Sequence, residues 1–345
     1  MQFGLWFEPE MVNPDSDLAR AHPDWIMSAR GEWPLESRHQ QVLNLGIPEA
    51  YEHVKSQIAA ILKEYPINYV KWDHNRDLVE AGSQPAGGRP GVHAQTLAVY
   101  RLIDELRAAH PGLEIESCSS GGARVDLAIL ERTDRVWVSD NIDPHDRQHM
   151  LRWTAQLVPP EYLGSHIASG RSHTTGRRHD LGFRAATAIF GHLGIEWDLT
   201  TATDAELAEL RAWVAFYREH RDLLLGGDLV RMDGYDERVL VHGVVAPDRS
   251  RALIAMVILD SPYPDPVGRL RFRGLDPDRT YRLRPELVAP GPGGLRPPHW
   301  WGAHHHGRLF SGATLEHVGV ACPRVHPDQV VLYRADAMEE TDETP

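Results

Sequence analysis

The sequence predicts an α/β fold: a (β/α)8 TIM-type barrel lacking its first strand, followed by a C-terminal antiparallel β-sandwich. Three observations carry this expectation. Strand-like and helix-like runs alternate from the start of the chain, and polar residues gather after each strand. Beyond about residue 226 the alternation gives way to short strand-like runs separated by turn signals.

Residues 3–8 are a short apolar run stopped by Pro9, and residues 41–45 a second one closed by Gly46. Pro48 suits the first turn of a helix whose Val54, Ile58, Ile61 and Leu62 share a face. Residues 68–72 make a third strand, and a Gly/Pro-rich loop (82–91) leads to a helix presenting Leu97, Tyr100, Leu102, Ile103 and Leu106. A fourth strand (113–117) precedes a helix over 124–130, and a fifth (136–139) precedes one near 147–156. The sixth strand is 161–167, and a helix over 184–190 leads to the seventh, 193–197. A closed barrel of this class uses eight strands, so a chain opening on a strand is expected to begin inside the barrel, truncated at its N-terminus. The rival doubly wound sheet would carry a Gly-x-Gly-x-x-Gly turn after an early strand, and the sequence has none there.

The runs 229–232, 238–245, 252–258, 268–272, 280–283 and 330–333 predict the β-domain. The expected organisation is a catalytic barrel over 1–225, a β-sandwich over 226–336 and a disordered acidic tail over 337–345.

With 345 residues, 42% of them hydrophobic, the chain can bury a core large enough for more than one domain. A net charge of -13 argues against nucleic acid or an anionic membrane as partner. Two cysteines, Cys118 and Cys322, are too few for a disulfide framework. No run reads as a membrane span or signal peptide, so a cytoplasmic location is expected. The run His304-His305-His306 suggests metal at first sight, but neighbouring side chains on a strand point to opposite faces. It is read as a surface loop, and no metal site is expected.

The chemistry centres on two strand ends. Residues 69–77 read Tyr-Val-Lys-Trp-Asp-His-Asn-Arg-Asp, and residues 135–143 read Arg-Val-Trp-Val-Ser-Asp-Asn-Ile-Asp. Each places a carboxylate, Asp73 or Asp140, beside a Trp and an Asn, and two such carboxylates are what glycoside hydrolysis needs. Either aspartate could equally be a helix cap or turn residue. Lys71 is expected to keep Asp73 ionised, and partial burial against Trp137 to keep Asp140 protonated. Trp6, Trp72 and Trp137 sit at strand ends, where aromatic faces either fill the core or stack on sugars. Gly121 and Gly122 would let backbone approach a ligand closely. Cys118 lacks a His or Asn at a protease spacing, so a thiol nucleophile is set aside.

The strings Gly4-Leu5-Trp6-Phe7-Glu8-Pro9-Glu10-Met11-Val12, Lys71-Trp72-Asp73-His74-Asn75-Arg76, Glu116-Ser117-Cys118-Ser119-Ser120-Gly121-Gly122 and Trp137-Val138-Ser139-Asp140-Asn141 resemble, in order, those of family 36 glycoside hydrolases, the α-galactosidases. The resemblance implies a retaining exo-α-galactosidase with Asp73 as nucleophile and Asp140 as acid/base. It places Trp6, Arg38, Lys71, Asn75, Cys118, Gly121 and Trp137 in the galactose pocket and implies no cofactor. Implied partners are α-galactoside oligosaccharides, with a homo-oligomer left open for a longer parent. The Asp-Asp-Gly-Trp segment that ends the first barrel strand of that family does not occur here. An α-N-acetylgalactosaminidase, a galactosyl-transferring relative and a catalytically inactive truncated remnant are the alternatives.

Overall fold

A computed structural model describes residues 2–261 and 268–339. Packing divides the chain into two compact units, Met1–Asp140 and Asn141–Pro345.

In the first unit, β1 (Phe3–Phe7) is followed by β2 (Met11–Val12), the short helix α1 (Asp17–Ala21), β3 (Gln41–Val42), α2 (Pro48–Glu64) and β4 (Ile67–Trp72). A two-residue ribbon, β5 (Gly82–Ser83) with β6 (Arg89–Pro90), then precedes α3 (Val92–Ala109), β7 (Glu114–Ser117), α4 (Leu127–Leu130) and β8 (Arg135–Trp137). Strands β1, β4, β7 and β8 form a parallel sheet in that order. Their register aligns Phe7 with Trp72, Trp72 with Ser117, and Ser117 with Val136. The residues that follow these positions, Glu8, Asp73, Cys118 and the 138–140 segment, therefore collect at one end of the sheet.

The run 41–45 is no sheet strand. Gln41–Val42 pairs antiparallel with Met11–Val12 in a separate ribbon, and Leu43 and Leu45 are buried in the core beneath it. Its apolar residues serve burial, which looks the same in sequence as a buried strand.

Helix α2 starts with Pro48 at its first position and buries Ala50, Tyr51, Val54, Ile58 and Leu62. Helix α3 buries Ala98, Val99, Leu102, Ile103 and Leu106, while Leu97, expected inside, is exposed. Both helices join one core with Val70, Trp72, Ile115 and Ile129.

The second unit opens with α5 (Pro144–Thr154), β9 (Leu163–Ala168), α6 (Leu181–Ala188) and β10 (His192–Glu196). Strands β9 and β10 pair parallel without a bulge, α6 being the crossover. Six parallel strands of the barrel type thus occur among the described residues, four in one unit and two in the other.

Helix α7 (Asp204–Gly226), set by a capping box between Thr203 and Glu206, leads into the antiparallel part. Its strands are β11 (Asp228–Met232), β12 (Val239–Val245), β13 (Arg251–Ile258), β14 (Arg269–Leu270), β15 (Thr280–Glu286), β16 (Arg308–Ser311), β17 (Val320–Ala321) and β18 (Gln329–Ala337). Six of them form a sheet in the order β11-β12-β13-β18-β15-β16, and β14 pairs with β17. One face of the sheet, with Leu240, Leu253, Ala255 and Leu332, packs on α6 and α7. The other, with Val241, Ile254, Met256 and Tyr333, packs on Phe272, Trp300, Trp301 and Leu315. Burial on both faces explains why β13 has no polar alternation in sequence.

The His304-His305-His306 run begins in a single 3-10 turn (Ala303–His305), with His304 and His305 at positive φ and His305 edge-on to Trp301. Of the expected acidic tail, Ala337 closes β18 opposite Tyr281, and residues 340–345 lie outside the described residues. No helix among the described residues is long and apolar enough to cross a membrane.

Candidate active site

Asp73 directly follows β4, and its backbone N–H donates to the Phe7 carbonyl at 2.8 Å, which extends the β1–β4 pairing by one step. Its side chain is buried. Burial pushes the carboxyl pKa up, but hydrogen bonds from Trp6, Asn75 and Cys118 and from the His74 N–H outweigh it and hold the pKa below the ordinary range. The Trp6 Nε1–H donates to Oδ2 at 3.0 Å and the His74 N–H to Oδ1 at 2.8 Å. The Trp6 ring itself is 52% exposed, leaving an open aromatic face beside the carboxylate.

Lys71 does something other than expected. Its Nζ pairs with Glu116 Oε1 at 2.8 Å and lies 4.5 Å over the Trp137 ring. Lys71 and Glu116 are register partners on β4 and β7, and the Tyr69 hydroxyl donates to the same glutamate at 2.6 Å. The negative charge of Asp73 is thus held by neutral donors, and the Lys71 ammonium by Glu116.

Asn75 contributes its side chain to Asp73 and its backbone N–H to Glu8 Oε1 at 2.8 Å. Gln40 Nε2 binds the other oxygen of Glu8 at 2.6 Å, which ties the residue 40 loop to the strand ends. Cys118 is buried, and burial pushes its thiol up to about 12, so it serves Asp73 as a hydrogen-bond donor and is inert as a nucleophile.

Gly121 and Gly122 meet a requirement of the protein's own backbone. At Gly121, φ is +85°, and a Cβ would lie 2.9 Å from Ser139 Cα and 3.1 Å from the Asp140 nitrogen. At Gly122 it would lie 2.4 Å from the Val138 carbonyl oxygen. The glycines let the loop after β7 press against the backbone that carries Asp140. Just before them Ser120, also at positive φ, accepts a hydrogen bond from Arg38 Nη1 at 2.8 Å.

Asp140 accepts from Trp137 Nε1–H at 2.9 Å, but the residue is exposed where partial burial against Trp137 was expected. Trp137 is buried, so the pair runs from the core outward. Trp72 takes no part in a sugar face: it is 1% exposed and donates to the buried Glu10 at 3.0 Å. Burial raises the Glu10 pKa, yet the charges of Arg124 and His74 and the Trp72 hydrogen bond hold it below its usual range.

All nine residues singled out in the sequence, Trp6, Arg38, Lys71, Asp73, Asn75, Cys118, Gly121, Trp137 and Asp140, fall in the first unit and are linked through these contacts. Glu8, Glu10 and Glu116 were missed as participants. Glu8 and Glu10 stand in the same motif as Trp6, and Glu116 becomes visible once the third and fourth sequence strands are aligned in parallel.

The family model described as Melibiase matches residues 1–227, and the one for the glycosyl hydrolase family 36 C-terminal domain matches residues 240–335. The chain is 43% identical over 339 residues to an α-galactosidase of Escherichia coli, covering 96% of this chain and 47% of that protein. It is 32% identical over 345 residues to the α-galactosidase AgaA of Geobacillus stearothermophilus, covering 99% of this chain and 44% of the relative. Among solved structures, an AgaA variant in complex with raffinose superposes with a TM-score of 0.86 at 32% identity over 98% of this chain and 45% of that one. An α-galactosidase from Lactobacillus brevis superposes with a TM-score of 0.88 at 31% identity, over 100% of this chain and 46% of the other. The chain spans less than half the length of these relatives. The ordered motifs, the parallel strand ends that gather them and the match over 1–227 agree: this chain belongs to the melibiase family and carries a family 36 C-terminal domain.

Proposed function

We propose that the chain carries the catalytic carboxylates of a retaining α-galactosidase that removes terminal α-galactosyl residues from oligosaccharides. The observation that carries the reading is Asp73, a buried carboxylate kept ionised by neutral donors beside an exposed Trp6 face. A nucleophile needs its charge kept and its lone pairs reachable, and neutral hydrogen bonds achieve the first without an ion pair. The names of the relatives, and the raffinose bound to AgaA, support galactosides as the substrate class.

In this mechanism an Asp73 oxygen attacks the anomeric carbon as the glycosidic C–O bond breaks, and the Asp140 carboxyl gives its proton to the departing oxygen. Asp140, now a carboxylate, takes a proton from water, whose oxygen displaces Asp73 and restores the α configuration. The barrel part over 1–225 holds this site, and 226–336 is its β-domain.

Hydrolysis of raffinose and of an aryl α-galactoside, with the product anomer followed by proton NMR, tests the reading. Asp73→Ala is expected to abolish both reactions. Asp140→Ala should slow raffinose by about 10²–10⁴-fold and the aryl substrate, whose leaving group needs little protonation, much less. A β-galactose first product, or an active Asp73→Ala chain, would refute it.

A further inference from the structure

Asp140 is exposed, and Trp137 Nε1–H holds its Oδ1. The rest of its placement depends on the backbone to either side. Before it, Gly121 and Gly122 let the loop after β7 press on residues 138–140. After it, residues 141–147 form a network of polar groups with Asn141 at its centre. The Asn141 carbonyl accepts from Arg147 Nη1 at 3.1 Å, its Nδ2 donates to Asp146 Oδ2 at 2.9 Å, and its Oδ1 accepts the Asp143 N–H at 3.0 Å. Asp143 is 0% exposed, and its Oδ1 caps α5 by accepting the His145 N–H at 2.9 Å.

Two carboxylates share this short segment, one of them fully buried, and without a counter-charge they repel. The counter-charge comes from a loop some thirty residues on. Arg177 Nη1 donates to Asp146 Oδ1 at 2.7 Å and to Asp143 Oδ2 at 3.1 Å, so a single nitrogen bridges both. The Thr175 hydroxyl reaches the same Asp143 oxygen. Both residues stand on a hairpin that follows β9. In it Arg171 pairs with Arg178, the Ser172 N–H donates to the Arg177 carbonyl at 2.9 Å, and the His179 N–H donates to the Gly170 carbonyl at 3.1 Å. The nearby histidines are engaged elsewhere: Asp328 binds His145 Nδ1 at 2.7 Å and His179 Nε2 at 3.2 Å.

We infer that Arg177 is a positioning residue for the acid/base step: by bridging Asp143 and Asp146 it holds Asn141 in place, and with it the backbone that carries Asp140. The inference rests on the retaining α-galactosidase reading. Without the Arg177 charge the two carboxylates move apart or one takes up a proton, Asp146 releases Asn141, and the displacement enters the chain one residue from Asp140. The step that suffers is proton donation, so the defect grows with the leaving group's need for a proton.

Turnover of raffinose and of an aryl α-galactoside by the 345-residue chain tests this. Arg177→Gln should lower kcat for raffinose by at least about tenfold, since a small displacement of a catalytic group can cost about 100-fold, with KM little changed. The aryl substrate should lose much less. Arg177→Lys keeps a cation between the two carboxylates and should restore most of the raffinose rate. A role in folding alone would lower both rates by one factor, the folded fraction, which circular dichroism measures. Equal losses on the two substrates overturn the proposal, as does a native raffinose rate in Arg177→Gln. Asp140→Ala, assayed alongside, separates this from the reading beneath it. Native raffinose turnover in Asp140→Ala removes the acid/base assignment, and Arg177 with it, whereas a slow Asp140→Ala beside a native Arg177→Gln removes the positioning alone. Amide exchange needs no turnover: protection of the Asp143 N–H, bound to Asn141 Oδ1, should fall in Arg177→Gln, and unchanged protection overturns the proposal.

Discussion

Asp73 draws its ionisation from uncharged neighbours, so its titration responds to the loss of a single donor. Trp6→Phe keeps an aromatic face but removes the N–H that reaches Oδ2. With one opposing hydrogen bond gone, burial gains weight and the carboxyl pKa rises. The acid limb of the kcat/KM profile should therefore move to higher pH, with activity at pH 5 falling by a larger factor than at pH 7. An unshifted acid limb in a folded variant would show that Asp73 does not own it. The linkage has the matching sign. A carboxyl with a depressed folded pKa adds stability above its unfolded pKa, about 3.9, and loses it as pH falls through the folded value.

At the scale of elements, the loop after β7 and the segment after β8 depend on a residue without a side chain. Gly121 combines a φ of +85° with an approach to Ser139 and Asp140 that leaves no space for a methyl. Gly121→Ala should cost about 1–2 kcal/mol from the left-handed backbone alone, and more from displacement of the Ser139 backbone. Because the displaced segment carries Asp140, turnover should fall by a larger factor than binding of galactose. Gly112 is the control, since a Cβ there meets nothing within 4 Å and φ is not in the left-handed region. Urea melts of both alanine variants check the ordering, and an equal effect at the two positions would remove the packing argument. The Lys71–Glu116 pair works at the same scale: the register of β4 and β7 decides it, and that register also aligns Asp73 with the start of the Cys118 loop.

For the molecule as a whole, the acid limit of stability is set partly in the second unit, by a residue outside the candidate site. His242 on β12 lies edge-on to Phe190 in an apolar recess with Leu151, Leu229 and Leu240. Burial, with the Arg152 charge, pushes its pKa down to about 4. The unfolded chain binds this proton near pH 6.5 and the folded chain only near 4, so stability is full above 6.5 and declines as pH falls between the two values. The loss is on the order of 2 kcal/mol after allowance for the partly exposed ring. Chemical denaturation at pH 7 and pH 5 should show the decline in the native chain, and His242→Leu should flatten it. An identical pH slope in that variant would assign the effect to other groups.

Much of the fold and the site was legible because it depends on neighbours in sequence. The period of Val54, Ile58 and Leu62 places α2, Pro48 marks its start, and Asp73 follows its strand directly while Asp140 follows the end of β8 by three residues, so each lies after a strand's C-terminal end. The family could be named from four ordered strings, since they record those strand ends. What the tertiary structure alone decided involves partners far apart in the chain. Residues 41–45 carry the same apolar signal whether they join a sheet or line a core, and only the available partner, Met11–Val12, separates the two. Lys71 lies two residues from Asp73 in sequence, but the register of β4 against β7 sets it beside Glu116, 45 residues away, and it pairs there. Gly121 and Gly122 admit either a ligand or a neighbouring loop, and the β7–β8 pairing brings the loop. Asp140 was expected to be partly buried against Trp137, yet its exposure depends on everything packed around it, a quantity no local pattern contains.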